Sequence, residues 1–264
     1  MQHIKPLAAL LMAYFILIIW RDIYAFSCVI LIIPMIVMSI MMIGLFQFAA
    51  KKRWCLATCY FQPSSLLYQI FTGKIFVFIR AILTALFLTV VLLVQMVLWE
   101  WKILVILLMN LFLLYGLYHF ILSSLKLSIH PQMRFVIAKN WTVSINLLMM
   151  IFVLAGVQYY SFIPDYLDPS LAKTLNNATV HLVSECDMVR YLLQMGAEKD
   201  AFSWWLMVTG NEWISDQVIS GIVWTLFLLS GGVAVWGYNR YLIEVADLFL
   251  VKEENSEITS HHNH

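Results

Sequence analysis

The feature that most constrains this sequence is a series of apolar runs of about 20 residues, the length that an α-helix needs to cross the hydrocarbon core of a bilayer. Because lipid offers the backbone no hydrogen-bond partners, such runs fold as helices. The five clearest runs cover residues 24–48, 75–98, 103–125, 142–159 and 218–238. The sequence therefore predicts an all-α fold, a polytopic transmembrane helix bundle.

A sixth apolar segment, residues 7–20, is shorter because Arg21 and Asp22 follow it. It resembles a signal peptide in having Lys5 before an apolar stretch, but no small-x-small cleavage pattern follows Trp20. We therefore expect an uncleaved first helix. The bundle has about six spans if this segment crosses the membrane, and five if it is re-entrant or interfacial.

Composition excludes several other classes of protein. The chain is 62% apolar and 12% charged, whereas a soluble domain is about half apolar and about a quarter charged. This balance excludes an intrinsically disordered chain, a secreted disulfide scaffold and a nucleic-acid-binding protein. The bilayer itself is therefore the first expected partner.

The distribution of charge predicts the orientation of the spans. The connections 48–75 and 125–141 contain basic residues and no acid, namely Lys51, Lys52, Arg53, Lys74, Lys126, Arg134 and Lys139. The connection 160–216 instead carries eight acids against three bases. Because cytoplasmic loops are enriched in Lys and Arg, we expect both termini in the cytoplasm and 160–216 outside. The compact loops favour a bacterial inner membrane.

These boundaries divide the chain into three parts. Residues 1–159 form a transmembrane bundle, 160–216 an extracytoplasmic helical segment, and 217–264 the last span with a cytoplasmic helix and tail. Within 160–216 the pattern predicts two short helices, the first ending at Gly196 and the second capped by Asp200.

The candidate site inside the bundle consists of polar residues within the predicted spans. Asn110, His119 and Asn146 form interhelical hydrogen bonds or line a polar pore or pocket. No Asp or Glu is expected near a bilayer midplane. Since ionisable residues at that depth mark coupled pumps and transporters, this pattern counts against proton- or sodium-coupled transport.

Two further sets of residues are candidates for partner binding. Tyr191, Trp204 and Trp205 belong to the extracytoplasmic segment, which lies on the membrane surface or docks on a partner. Glu244 and Asp247 lie on the cytoplasmic helix, opposite an apolar seam, so this helix packs on the bilayer or bundle or docks on a cytoplasmic partner. Small residues in the last span favour close helix contacts in the bundle or homo-oligomerisation, namely Ser230, Gly231, Gly232, Ala234 and Gly237.

Cysteine and histidine spacing predicts no catalytic residue, cofactor or metal site. Cys55 and Cys59 have no second pair that would complete a zinc site. Cys28 falls inside a predicted span and Cys186 is the one cysteine expected outside, so we expect a free thiol at Cys186, with an intermolecular disulfide as the alternative. An impermeant maleimide should then label Cys186 in intact cells.

These observations predict a non-catalytic membrane component with an assembly, accessory, immunity or defence role, acting through its acidic outer segment and its cytoplasmic helix. Its expected partners are the bilayer and either a protein partner or further copies of this chain, and not nucleic acid. A small oligomeric channel or permease is one alternative, and an intramembrane redox or enzyme subunit is another.

Overall fold

The computed structural model describes residues 4–60, 74–126, 131–160, 164–209 and 217–261, and within these ranges it is helical with no strand. Besides a short 3-10 helix at Cys28–Leu31, it has eight α-helices. These are α1 (Ile4–Ile23), α2 (Ile32–Tyr60), α3 (Lys74–Leu98), α4 (Trp101–Ser124), α5 (Pro131–Tyr160), α6 (Leu171–Thr179), α7 (Asp187–Val208) and α8 (Gln217–His261).

The predicted all-α membrane-type bundle is confirmed. Five segments of the described residues are long and apolar enough to cross a membrane, namely Lys5–Ile23, Cys28–Ala50, Ile75–Leu98, Trp101–Ser124 and Met133–Val157. The first helix continues unbroken through Arg21, which makes segment 7–20 part of a helix long enough to be a candidate span. The predicted last span, 218–238, lies within α8.

Helix α8 lies at the centre of the bundle and packs against α1, α2, α3, α4 and α5. Each residue from Gly237 to Asp247 is buried, so this stretch is covered on all sides. A Cβ at Gly237 would lie 3.1 Å from the carbonyl oxygen of Leu88, so glycine permits the close approach of α8 and α3. A Cβ at Gly232 would likewise meet Ile151. These two small residues therefore make contacts within the bundle.

The central helix extends beyond its neighbours at one end. Asn239 bonds to Asn110, and at 1.5 Å per residue it is about 33 Å from the start of α8, whereas Asn110 is about 14 Å from the start of α4. The first turns of α8 therefore project past the end of α4, where Phe227 meets Trp204 of α7. The membrane-embedded part of α8 lies correspondingly further along the chain than the predicted span.

Residues 164–209, which include α6 and α7, form what we call the cap segment, and it is fixed to one end of the bundle. Ser184 Oγ donates a hydrogen bond to the carbonyl of Tyr24 at 3.0 Å. The backbone of Gly196 lies against Val94, where an added Cβ would overlap the valine side chain. Helix α7 continues through Gly196 and Asp200, so the prediction of two short helices is wrong. Gly196 permits close packing against Val94 and does not end the helix.

A disulfide joins Cys28 to Cys186, with the two Cα atoms 4.9 Å apart, and it marks what we call the disulfide face of the bundle. The expectation of a free Cys186 thiol is therefore wrong, while Cys28, expected inside a span, is the first residue of the candidate span Cys28–Ala50. The Ser27 side chain accepts a hydrogen bond from the Val29 amide and caps a 3-10 turn. This turn places Cys28 at the edge of the span, within reach of the cap segment.

Candidate functional site

Three asparagines meet in the middle of the bundle. Asn110 Nδ2 and Asn146 Nδ2 both donate hydrogen bonds to Asn239 Oδ1, at 3.1 and 2.9 Å. All three side chains are buried, none more than 4% exposed. The structure therefore brings the predicted Asn110 and Asn146 together, and it does so through Asn239, which lies one residue beyond the predicted last span.

His119 does not join this group. Nine residues after Asn110, it lies on the opposite side of α4 and about 14 Å further along it. Its ring packs edge-on against Tyr115, with centroids 4.5 Å apart, and against Tyr118 at 6.2 Å. The predicted polar set is thus divided between two sites.

Next to the asparagines lies a buried ion cluster, consisting of Lys139, Arg240, Glu244 and Asp247. Lys139 Nζ is 2.8 Å from Glu244 Oε2 and 2.6 Å from Asp247 Oδ2. Arg240 Nη2 is 2.7 Å from Glu244 Oε1. Two bases face two acids, so the cluster has no formal net charge. Such compensation is what makes charges tolerable inside a membrane protein.

The cluster corrects what was expected of three of its residues. Lys139 was expected in a cytoplasmic connection, but α5 begins at Pro131 and carries it into the bundle, where it is 6% exposed. Glu244 and Asp247 were expected to be available to a partner, yet they are 2% and 9% exposed because neighbouring helices surround α8. The backbone of Gly44 lies directly against the Glu244 carboxylate, in a space that no larger side chain could share.

The ion cluster lies on one side of the three asparagines, further along α8. Asn146 is close to the middle of the span Met133–Val157. Glu244 is five residues beyond Asn239, or about 8 Å along α8. Since half of a hydrocarbon core is about 15 Å thick, Glu244 lies within the membrane-embedded part of the bundle.

A second polar site lies at the disulfide face, beneath the cap segment. We call it the polar cavity; its volume is about 410 Å³. Its walls come from the ends of α1, α3, α4 and α5 and from the cap segment. Its polar and aromatic lining residues are Arg21, Tyr24, Gln95, Trp99, Glu100, Lys102, Tyr166, His181, Asp200 and Trp204. This volume is within the range of small-molecule sites.

The charged groups of the polar cavity are poorly matched to one another. The Arg21 guanidinium lies 4.4 Å from the ring of Trp101, and its Nη1 has no hydrogen-bond partner among the described residues. Burial raises the pKa of Asp200, and nearby Lys199 opposes this shift only in part. Burial, and then the charges of Asp200 and Glu100, raise the pKa of Tyr166. The cavity therefore makes the charged form of the Asp200 carboxyl less favourable than it is in water.

The three predicted partner-binding residues of the outer segment have separate places. Trp204 lines the polar cavity and packs against Phe227, with ring centroids 5.1 Å apart. Trp205 Nε1 donates to the Pro169 carbonyl at 3.2 Å. Tyr191 is 62% exposed on the outer side of α7. Only Trp204 contributes to the cavity.

Sequence reasoning missed Arg21 and Asp200 as cavity residues, because charged residues at the ends of apolar runs are ordinarily solvated. A signal was present in the tryptophans around them, since Trp20, Trp99, Trp101 and Trp204 all lie near this end of the bundle. Among the described residues, no group of three or more His, Cys, Asp or Glu side chains is placed to hold a metal ion.

Comparison with protein-family models, with curated proteins and with solved structures finds no match to this chain.

Proposed function

We propose that the chain is a non-catalytic component of a bacterial inner membrane that acts through its cap segment, and that the polar cavity binds a small molecule carrying a carboxylate or phosphate group. The observation that carries this proposal is the polar cavity itself. It is of ligand size, it lies beneath a segment fixed to the bundle, and it contains the unmatched guanidinium of Arg21.

The chemistry of the lining residues supports an oxyanion. A guanidinium presents a planar fork of donors that fits carboxylate and phosphate groups. Lys102 adds a second positive charge at the rim, and its ion pair with Glu100 is long, at 3.9 Å, and solvent-exposed. Because burial raises the pKa of Asp200, its opposing negative charge is less favoured than that of a solvated carboxylate. Aromatic walls such as Trp99 and Trp204 would cover the apolar part of the ligand.

Two observations support an orientation with the disulfide face outside. Disulfides persist in oxidising compartments such as the periplasm, and Cys28–Cys186 lies at this face. The purely basic connections lie at the other end of the spans, as expected for the cytoplasmic side. In this orientation the polar cavity receives its ligand from the periplasm.

The test is to compare two arginine variants of the full chain. Arg21 lines the cavity, whereas Arg190 pairs with Asp187 on the exposed surface of α7. Native mass spectrometry of protein purified from its own membranes should show a bound small molecule in the wild type and in Arg190→Gln. The molecule should be absent from Arg21→Gln. An unliganded wild type, or equal retention by both variants, would contradict the proposal.

A protein partner is proposed for the exposed acidic side of the cap segment, which includes Asp165, Glu185, Asp187 and Glu198. Complementary charge favours a partner with a basic surface. A photo-crosslinking amino acid at Glu198 should capture this protein in native membranes. The same amino acid at Phe152, a 70% exposed residue within a span, should not.

The buried ion cluster favours a second candidate function, a permease. Ionisable groups within membrane-embedded helices commonly mark ion or proton pathways, and Glu244 and Asp247 are buried in such a part of α8. Asn110 Oδ1, Asn146 Oδ1 and Thr142 Oγ1 are also buried without a hydrogen-bond partner among the described residues. If this candidate is right, protein in liposomes conducts protons or a polar solute, and Asn110→Leu changes that flux. Absence of flux would exclude it.

A further inference from the structure

A second cavity lies near the disulfide face, and it is wholly apolar. Its volume is about 240 Å³, and it lies between α2, α3 and α7. Its lining residues include Trp20, Met35, Val90, Leu93, Val189 and Leu192. The one hydroxyl among its lining residues, Thr89 Oγ1, is directed to Met41 Sδ at 3.6 Å. We call it the apolar cavity.

Water is a poor occupant of such a space. An apolar cavity of about 150 Å³ in a soluble protein stays dry and binds benzene instead. The apolar cavity here is larger and offers water no polar partner. An empty cavity would in turn deprive its walls of dispersion contacts. The expected occupant is therefore a hydrocarbon chain.

The cavity opens towards the lipid-facing surface of the bundle. Leu31 and Met35 line it and also belong to a shallow groove along the outer side of α2, which runs from Cys28 to Ile43. Met35 and Met188, on opposite sides of the cavity, are each 62% exposed. Groove and cavity thus adjoin each other at Leu31 and Met35.

Helix α7 forms one wall of the apolar cavity. Its outer face, which is turned away from the bundle, is also apolar. The buried side of α7 contains Val189, Leu193, Ala197 and Ala201. On the opposite side Met188, Tyr191, Met195 and Phe202 are 45–62% exposed, at spacings that place them in one stripe. An exposed apolar stripe beside a lipid-facing groove is typical of a helix in the membrane interface.

We propose that the apolar cavity holds part of one acyl chain of a phospholipid from the surrounding leaflet, which enters along the α2 groove and is enclosed by α7. Three methionines, Met35, Met38 and Met188, contribute to the walls. Their unbranched and polarisable side chains adapt to chains of different shape. The polar cavity and the apolar cavity share no lining residue. The inference about the apolar cavity therefore does not depend on the ligand proposed for the polar cavity.

The test uses the full chain in vesicles of phosphatidylethanolamine and phosphatidylglycerol that include a phosphatidylethanolamine with a diazirine on one acyl chain. After irradiation, mass spectrometry should find adducts on Leu93 and Val189. These residues are only 3% and 4% exposed, so lipid lying on the outside of the bundle cannot reach them. Adducts on lipid-facing residues alone would overturn the proposal.

Two cavity-filling variants and one matched control complete the design. Val90→Trp and Leu192→Trp fill the cavity from opposite walls and should reduce labelling of Leu93 and Val189 to the level of unirradiated protein. Leu113→Trp, at a 43% exposed position on α4, should leave it unchanged. Formation of the Cys28–Cys186 disulfide on a non-reducing gel shows that each variant has folded. Labelling that persists in both filled variants would contradict the inference.

A separate arm identifies the source of the chain. Vesicles of the same composition are given a diazirine-labelled free fatty acid in place of the labelled phospholipid. The phospholipid should label the cavity walls at least as strongly as the free acid does. Labelling by the free acid alone would overturn the assignment to a membrane phospholipid.

Discussion

The ion cluster and the polar cavity use the same kinds of charged side chains in opposite ways. In the cluster, Lys139 contacts two acids at 2.6–2.8 Å and all four members are nearly inaccessible. In the cavity, Arg21 has an unmatched donor and Asp200 has a raised pKa. In the cluster two bases balance two acids across the helices, whereas we propose that the Arg21 guanidinium of the cavity is available to a ligand. The contrast separates a site that stabilises helix packing, the ion cluster, from the site for which we propose ligand binding, the polar cavity.

The largest effect should come from breaking the cluster. Lys139→Met leaves two buried acids against Arg240 alone, and removing one partner of a buried pair costs about 3–5 kcal/mol. We expect a comparable loss in the free energy of unfolding in detergent. The control is Lys102→Met, which breaks the exposed pair with Glu100 and should cost less than about 1 kcal/mol.

A double variant tests whether charge balance is the cause. Lys139→Met with Asp247→Leu leaves Arg240 facing Glu244, a neutral pair, and should recover much of the lost stability. If the double variant is as unstable as Lys139→Met, the packing of the lysine side chain matters more than its charge.

The disulfide should have the next largest effect, and only at the cap segment. Replacing both Cys28 and Cys186 by serine removes a link that typically contributes about 2–4 kcal/mol. Limited proteolysis should then cut the cap segment faster while the spans remain protected. In the wild type, an impermeant maleimide should label Cys186 only after reduction. Labelling without reductant would show that the two cysteines are not joined.

A smaller effect is expected where α8 approaches α3. Gly237→Ala places a Cβ 3.1 Å from the carbonyl oxygen of Leu88, and overpacking of this kind costs about 1–3 kcal/mol. The control is Gly231→Ala, where no atom lies within 4 Å of the added Cβ. The thermal unfolding midpoint should fall in Gly237→Ala and hold or rise slightly in Gly231→Ala.

The smallest effect concerns Asp200 and depends on pH. Because its pKa is raised in the folded protein above the ordinary 3.8, the folded state holds its proton more firmly than the unfolded chain does. Stability therefore decreases as the pH rises from 3.8 to the raised pKa, and this contribution is constant above that value. Unfolding of Asp200→Asn should lack this part of the pH dependence. An unchanged pH profile would show that the carboxyl is well solvated.

The helices could be predicted from the sequence because the length of an apolar run is a local property. Burial of charge is not local. Lys139 and Glu244 are 105 residues apart, so each looks like a solvated charge at the end of a span until its partner is known. Cys28 and Cys186 are 158 residues apart, and the predicted span began at residue 24, eight residues before α2 does, so the pairing was not recognised.

The candidate sites were predictable to different degrees. Asn110 and Asn146 are conspicuous because polar residues are rare in apolar helices. The polar cavity was not predictable, because its lining residues come from the ends of four spans and from a segment whose docking geometry depends on one disulfide and on glycine contacts. A sequence pattern records which residues end a helix but not which helix ends meet.

The central position of α8 has a consequence for biogenesis. Helices α1 to α5 leave the ribosome before α8 does. The central helix of the bundle is therefore synthesised after the helices that surround it. Until then Lys139 lacks both of its acids and has to extend its ammonium towards the headgroups. Entry of α8 must displace lipid or solvent from the axis and draw that side chain inward. Membrane insertion of this chain therefore ends with a step of internal assembly, during which the first helices depend on whatever temporarily shields their polar faces.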